Sequence, residues 1–416
     1  MLMASEGPTV IAFIARLPGP EINIAAFGSV VDPLRGLTLA PLVMLLSAST
    51  ALSKDWASYI KLRKFMFAAG AALTLVHFML AFTPLYYILV EDLMNVPAEI
   101  VEVARKGLMI MLPIPWSIGY RRFQQGVMIR FGHSDAIFIG TIIRLVSVLT
   151  ILLIGYSIGT IPGTILGATA LTIGMLMEAI YAGIRIRPIL QFQVKTNPAV
   201  PLISWRKFTS FYFPLVLTSF MMMIWRPIGS AAISRMPNPL ESLAVWPVVA
   251  GLVFILQTMG ISYNEIVVAT LDKPGSTRNL RAFSRYLIIF VSLIFILIAA
   301  TPFSDFWFRT ISALPDHLIP LAMQIIWVVL PAPALSVLLS WFQGAILYGQ
   351  NTRAIPEAIS FFLVTINIVI WSGVAWGKMQ GVFIAAVAFT FATSIQVLWL
   401  WYRSRNIFMT FQDGDT

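Results

Sequence analysis

Five arginines stand inside otherwise apolar stretches of this chain: Arg35, Arg121, Arg122, Arg144 and Arg226. A guanidinium is a weakly hydrated, planar fork that grips carboxylate or phosphate through two parallel hydrogen bonds, so the chemistry open to these side chains is anion recognition. An ionisable group inside a membrane-crossing helix costs roughly 3 kcal/mol or more unless it is paired or hydrated, which makes each one a candidate for function. The acids in comparable places are Glu6, Asp32 and Glu178, with Glu265 nearer a membrane face. Asp32 and Arg35 stand at i and i+3, close enough on one helix face to neutralise each other. Arg121 and Gln125 share a face at i and i+4, while Arg122 sits near enough to its helix end to snorkel toward the interface. Two readings follow. In one, Arg35, Arg121, Arg122, Gln125, Arg144, Arg226 and Gln343 bind an anion, with Glu6, Asp32 and Glu178 serving coupling or gating. In the other, those acids neutralise the arginines internally.

Other chemistries find no residues. The chain has no cysteine, and His77, His133 and His317 are scattered, so neither a thiolate site nor a histidine metal cluster is expected. Neither a G-x-x-x-x-G-K-[ST] phosphate loop nor an H-E-x-x-H zinc motif occurs, and no cofactor or catalytic residue is expected. Any energy must come from an ion gradient, H+ or Na+, or from a solute. Glu91, Asp92, Glu99 and Glu102 offer a membrane transferase site only as a remote alternative, since they read as a solvated segment before a span.

The elements that hold the arginines are membrane helices. Of the 416 residues 58% are hydrophobic and 11% charged, against about a quarter charged in a soluble domain. The net charge of +10 is spread as small basic clusters between apolar runs, which argues against nucleic acid. A crossing helix needs about 20 apolar residues. Such runs predict an all-α integral membrane fold of about twelve spans, near 1–17, 24–52, 65–90, 107–129, 134–157, 162–186, 208–235, 241–271, 283–303, 319–348, 354–376 and 380–402. Seventeen Lys and Arg residues, among them Lys54, Lys61, Lys195, Lys273 and Arg403, fall in loops on the side of the termini, and six on the other. By the positive-inside rule both termini are cytoplasmic, in a cell (inner) membrane protein surrounded by lipid.

The chain repeats itself. A shift of 219 residues lays Pro8, Arg16, Pro18, Pro20 and Ala25 on Pro227, Arg235, Pro237, Pro239 and Ala244. A shift of 218 then matches Leu62-Arg63 with Leu280-Arg281, Thr83-Pro84 with Thr301-Pro302, Pro97 with Pro315, Leu112-Pro113 with Leu330-Pro331, and Gln125-Gly126 with Gln343-Gly344. Six spans in each half make the repeats parallel, related by an axis along the membrane normal. The expected domains are a six-helix lobe over 1–186, a cytoplasmic linker over 187–207, a second lobe over 208–402 and a tail over 403–416. Met1 falls opposite Phe220, so the first helix reads as truncated at its start. Pro8 and Pro227 interrupt the ladders of spans one and seven at equivalent places, as bending between outward and inward states would require. The repeat also predicts that spans one and seven face each other across a central cleft, with Glu6 and Arg226 at matched depth, and that the Arg121–Gln125 face and its mate Gln343 line that cleft.

This pattern resembles the multidrug, oligosaccharidyl-lipid and polysaccharide (MOP) exporter superfamily, which includes the MATE drug exporters. Phe213-Pro214-Leu215, Arg226-Pro227-Ile228, Ser234-Arg235 and Leu112-Pro113 with Trp116 are most similar to bacterial relatives of progressive ankylosis protein. The resemblance implies an alternating-access exporter of a small organic or phosphate-bearing anion. The alternatives it leaves open are a cation-coupled multidrug efflux pump and a lipid-linked glycan flippase. The acidic cluster of MATE exporters has no clear counterpart here, Asp32 and Glu178 being its candidates.

Overall fold

The computed structural model describes residues 2–201, 203–271, 276–349 and 353–412. All regular structure among them is helical, the form in which a segment satisfies its own backbone donors and acceptors in hydrocarbon. Twelve helical spans follow in order among the described residues. These are α1 (Leu2–Ile14), α2 (Pro20–Leu52), α3 (Trp56–Phe82), α4 in two pieces (Ala98–Ile110 and Ile114–Arg130), α5 (Asp135–Ile158) and α6 (Gly163–Val194). After them come α7 (Trp205–Ile233), α8 (Pro239–Thr270), α9 (Ser276–Ala300), α10 (Asp316–Tyr348), α11 (Ala354–Trp376) and α12 (Gly381–Gln412). Ten are long and apolar enough to cross a membrane. The other two are α1, with 13 residues, and α4, which breaks ahead of Pro113. Exposed stripes such as Phe138, Val146 and Leu153 on α5, and Ile289, Leu293 and Leu297 on α9, are what lipid-facing helices present. The chain is a multi-pass membrane protein.

Two boundaries differ from expectation. Helix α6 carries on past 186 through a π-helical turn at Leu190–Val194, which shortens the linker. Helix α12 runs through Gln412, over most of the expected tail. Lys273 and residues 413–416 lie outside the described residues.

The chain forms two compact units, and they cross the expected lobes. One comprises Arg16–Pro227; the other joins the residues up to Ala15 to those from Ile228 onward. Relative to lobes at 1–186 and 208–402, each half has given its first helix to the other. In the unit built on the second half, the Pro8 ring of α1 lies where a Cβ on Gly251 of α8 would meet it at 3.1 Å. In the other unit, α7 packs on α2 and α3: the Tyr212 hydroxyl donates to the Pro41 carbonyl at 2.6 Å, and Phe208 and Tyr212 pack their rings against Phe65. The exchange is reciprocal because the repeat makes α1 and α7, and α2 and α8, equivalents. Linear boundaries drawn at the linker do not anticipate it.

The repeat extends past the point where sequence matching ends. Gly159 and Gly377, 218 residues apart, both end their helices with positive φ, 73° and 64°, a conformation that costs glycine little. A Cβ on Gly155 would clash with Leu166, and one on Gly373 would clash with Ile384. Both members of these pairs stand 218 apart, so α5–α6 and α11–α12 pack in one register.

Candidate functional site

Two arginine–carboxylate clusters lie within the Arg16–Pro227 unit. The deeper one centres on Glu178 of α6, which is fully buried. Its Oε2 accepts from Arg121 Nη1 at 2.5 Å and lies 3.3 Å from Arg144 Nη1, and its Oε1 accepts from Gln125 Nε2 at 3.0 Å. Helix periodicity brings this about. Arg121 and Gln125 are one turn apart on α4, and Gly140 and Gly174 leave no Cβ to hold α5 and α6 apart beside Glu178 and Arg144. Arg121, Gln125 and Arg144 are 2%, 1% and 4% exposed, so the α4 face turns into the unit's own interior. Arg122, half-buried on the same turn, keeps its Nε buried with no hydrogen-bond partner. Two guanidiniums thus share the Glu178 carboxylate, with Arg122 next to Arg121 in the chain.

The second cluster lies on α2. One carboxylate oxygen of Asp32 pairs with Arg35, as the i, i+3 spacing predicts, and the other accepts from Arg226 Nη2 of α7 at 2.7 Å. Asp32 is the partner that the structure gives Arg226 within its own unit.

The remaining candidates belong to the other unit or to backbone geometry. Glu6 is half-buried on α1, and Gln343 is half-buried on α10. Pro8 and Pro227 lie inside α1 and α7, as expected. Sequence reasoning missed two polar features. Asn23 accepts from the Thr164 N–H at 2.9 Å through its side chain, and from the Thr164 hydroxyl at 3.1 Å through its carbonyl, which ties α2 to α6. His77 is buried with Nε2 2.9 Å from the Leu108 carbonyl, which makes that nitrogen a donor joining α3 to α4. Neither has a sequence signal beyond being a polar residue in an apolar run. Among the described residues, no group of three His, Cys, Asp or Glu side chains could hold a metal ion.

No family model matches the chain, and no curated protein does. Solved structures do. An inward-facing multidrug resistance MATE family transporter of the MOP superfamily superposes with a TM-score of 0.71 at 14% identity, over 98% of this chain and 96% of that one. The chain has the MOP transporter fold. The lipid II flippase MurJ, in an inward closed conformation, superposes at 0.63 with 13% identity, over 99% of this chain and 90% of the flippase. A MOP superfamily transporter from Pyrococcus furiosus, described as having a binding pocket of reverse polarity that suggests a different function, superposes at 0.55 with 14% identity, over 98% and 96%. The all-α, twelve-span, two-repeat architecture expected from sequence is this MOP fold.

Proposed function

We propose that the protein is a secondary transporter working by alternating access, with both termini in the cytoplasm of a cell (inner) membrane, and that its cargo is a small organic or phosphate-bearing anion. The observation that carries the anion reading is the Glu178 cluster, in which Arg121 and Arg144 meet on one carboxylate oxygen while Arg122, the next residue after Arg121, keeps its Nε buried with no hydrogen-bond partner. A site for lipophilic cations needs the opposite balance. Structures of this fold have been captured inward-facing and outward-facing, which supports alternating access. The reverse-polarity pocket described for the Pyrococcus furiosus protein is a precedent for a change of pocket charge on this fold. Coupling to H+ or Na+ would fall to Asp32 and Glu178, the carboxylates already shared between arginines. No catalytic role is assigned to any residue.

The test is a thermal-shift screen of purified protein against citrate, pyrophosphate, nucleotides and cationic dyes, followed by flux in proteoliposomes. A ligand at 100 times its Kd stabilises by about 2.7 kcal/mol, enough to see. Arg121→Ala, Arg122→Ala or Arg144→Ala should cut anion flux strongly, and Lys should rescue poorly, because an ammonium lacks the fork. Stabilisation and transport by cationic dyes alone, untouched by these changes, would move the protein to multidrug efflux. Labelling of introduced cysteines in 278–285 from the cytoplasmic side checks the orientation.

A further inference from the structure

A buried imidazole sits where α2, α3 and α4 meet in the Arg16–Pro227 unit. His77 of α3 is fully buried. Its Nε2 donates to the Leu108 carbonyl at 2.9 Å, so in the neutral ring the proton is on that nitrogen and Nδ1 is an acceptor. Nδ1 faces the Thr38 hydroxyl of α2 at 3.4 Å, and the same hydroxyl lies 2.8 Å from the Arg35 carbonyl one turn earlier. A hydroxyl has one proton to give. With the ring neutral, Thr38 serves either Nδ1 or the carbonyl. With a proton on Nδ1, the ring donates to the Thr38 oxygen and Thr38 donates to the Arg35 carbonyl, so each group has its partner. The array has a place for one more proton, and its arrival fixes which way the hydroxyl points.

The other half does without such a group. At an offset of 218, Thr38, His77 and Leu108 fall on Leu256, Phe295 and Ile326, all buried. Packing at this place is therefore met by apolar side chains, and a titratable ring is not what it requires. Asp32 and Glu178 are each engaged by two arginines, whereas His77 makes no ion pair among the described residues. The charge that acts on the ring is Arg35 of α2, itself paired with Asp32, which also takes Arg226 of α7. On α4, Arg105 is turned to the Ala81 and Phe82 carbonyls and the Tyr87 hydroxyl, and Glu102 and Lys106 are exposed. The Tyr86 hydroxyl donates to the Val101 carbonyl, and α3 itself carries no charged residue past Lys64. A proton on Nδ1 thus meets Arg35 as a like charge, and an anion held by Arg35 removes that opposition.

We propose that His77 is a proton-binding site, with Thr38 as the switch that carries its state to the Arg35 turn of α2 and Arg35 as the charge through which proton and anion favour each other. That turn is placed to respond. A hydroxyl bonded back to a carbonyl one turn earlier bends a helix slightly, and this one lies between Pro33 and Pro41. By linkage, an anion that favours the proton is itself bound more tightly once the proton is on, so the two travel in the same direction. The link to an anion rests on the transporter reading above; the proton site does not.

The chain has only three histidines, so ring-nitrogen NMR of the full chain with isotope-labelled histidine resolves them, and His133→Gln and His317→Gln supply the assignment. Between about pH 8 and pH 5, His77 should pass from the Nε2–H tautomer to the doubly protonated ring. Within that range the protonated fraction should be larger in Arg35→Gln than in the parent, with His133 and His317 unmoved. On unaltered protein, whichever of citrate, pyrophosphate or nucleotide stabilises it in the thermal-shift screen should enlarge that fraction too. His77→Gln keeps a donor for Leu108 and an acceptor for Thr38 but takes up no proton, so a merely structural histidine would leave its transport as in the parent. In proteoliposomes an inward proton gradient should speed anion uptake by the parent and not by His77→Gln. A ring that stays neutral to pH 5 in both parent and Arg35→Gln, a protonated fraction indifferent to Arg35 or to the bound anion, or an unchanged gradient response in His77→Gln overturns the proposal. If His77 titrates and responds to Arg35 while no anion binds or is carried, the transport reading fails and the proton site stands.

Discussion

The first half of the repeat places Arg121, Arg122, Gln125, Arg144 and Glu178 where the second, at an offset of 218, places Leu339, Ser340, Gln343, Phe362 and Gln396. The frames agree down to the glycines that let α4 approach α2 and α10 approach α8, and to the helix-ending Gly159 and Gly377. Their interiors do not. Where the first half buries an ion cluster, the second buries neutral side chains, and beside Gly344 lies a continuous apolar core of Tyr263, Val267, Val291, Val337 and Trp341. At an offset of 218, Asp32 and Arg35 likewise fall on Ala250 and Val253. A frame that stands with or without the charges does not need them for folding. Buried ions are costly, so their confinement to one half argues that they serve something other than stability.

The most direct challenge to this contrast is to give the first half the second half's residues, as Arg121→Leu, Arg122→Ser, Arg144→Phe and Glu178→Gln together. Anion flux should fall to background while the fold survives, since apolar replacement of a whole buried ion cluster is neutral or stabilising by roughly 1–4 kcal/mol. Flux and thermal unfolding on the same preparation decide it, and retained flux would place the function elsewhere. Removing one partner alone should behave oppositely. Glu178→Ala removes the carboxylate that Arg121 and Arg144 share and should cost about 3–5 kcal/mol, whereas Gln396→Ala at the matched place should cost about 1 kcal/mol. Equal losses in thermal unfolding would mean that the two interiors are not different in kind.

A smaller effect extends the contrast to the loops. Asp55 caps α3 by accepting from the Ser58 N–H at 3.0 Å and also accepts from the Val200 N–H at 3.3 Å. Burial alone would raise its pKa, but these hydrogen bonds outweigh it and hold the carboxyl below its ordinary value. A group whose pKa is depressed on folding contributes stability above the ordinary carboxylate range, and that contribution is lost as pH falls through the folded-state value. Unfolding followed below about pH 4 should show this loss in the parent and not in Asp55→Asn. Asp55→Ala should cost about 1 kcal/mol at neutral pH. The mate of Asp55 is Lys273, which has no acceptor to offer a helix N-terminus, so the second half should show no counterpart.

Much was legible in the sequence for a physical reason: crossing hydrocarbon demands long apolar helices, and duplicated prolines and glycines survive as a fixed offset. The span list, the parallel repeat and the Asp32–Arg35 pair all follow from spacing along one chain segment. The change of offset from 219 to 218 also shows in the sequence, although the offset alone does not say that a π turn at Ala26–Val31 stands in the interval where it occurs. Tertiary structure decided what spacing cannot. Which acid serves which arginine depends on helix rotation, and so Arg121 and Gln125 turn inward to Glu178 and Arg226 meets Asp32. That each half lends its first helix to the other's unit depends on packing between segments about two hundred residues apart, where hydrophobic pattern specifies that a face is buried but not by whom.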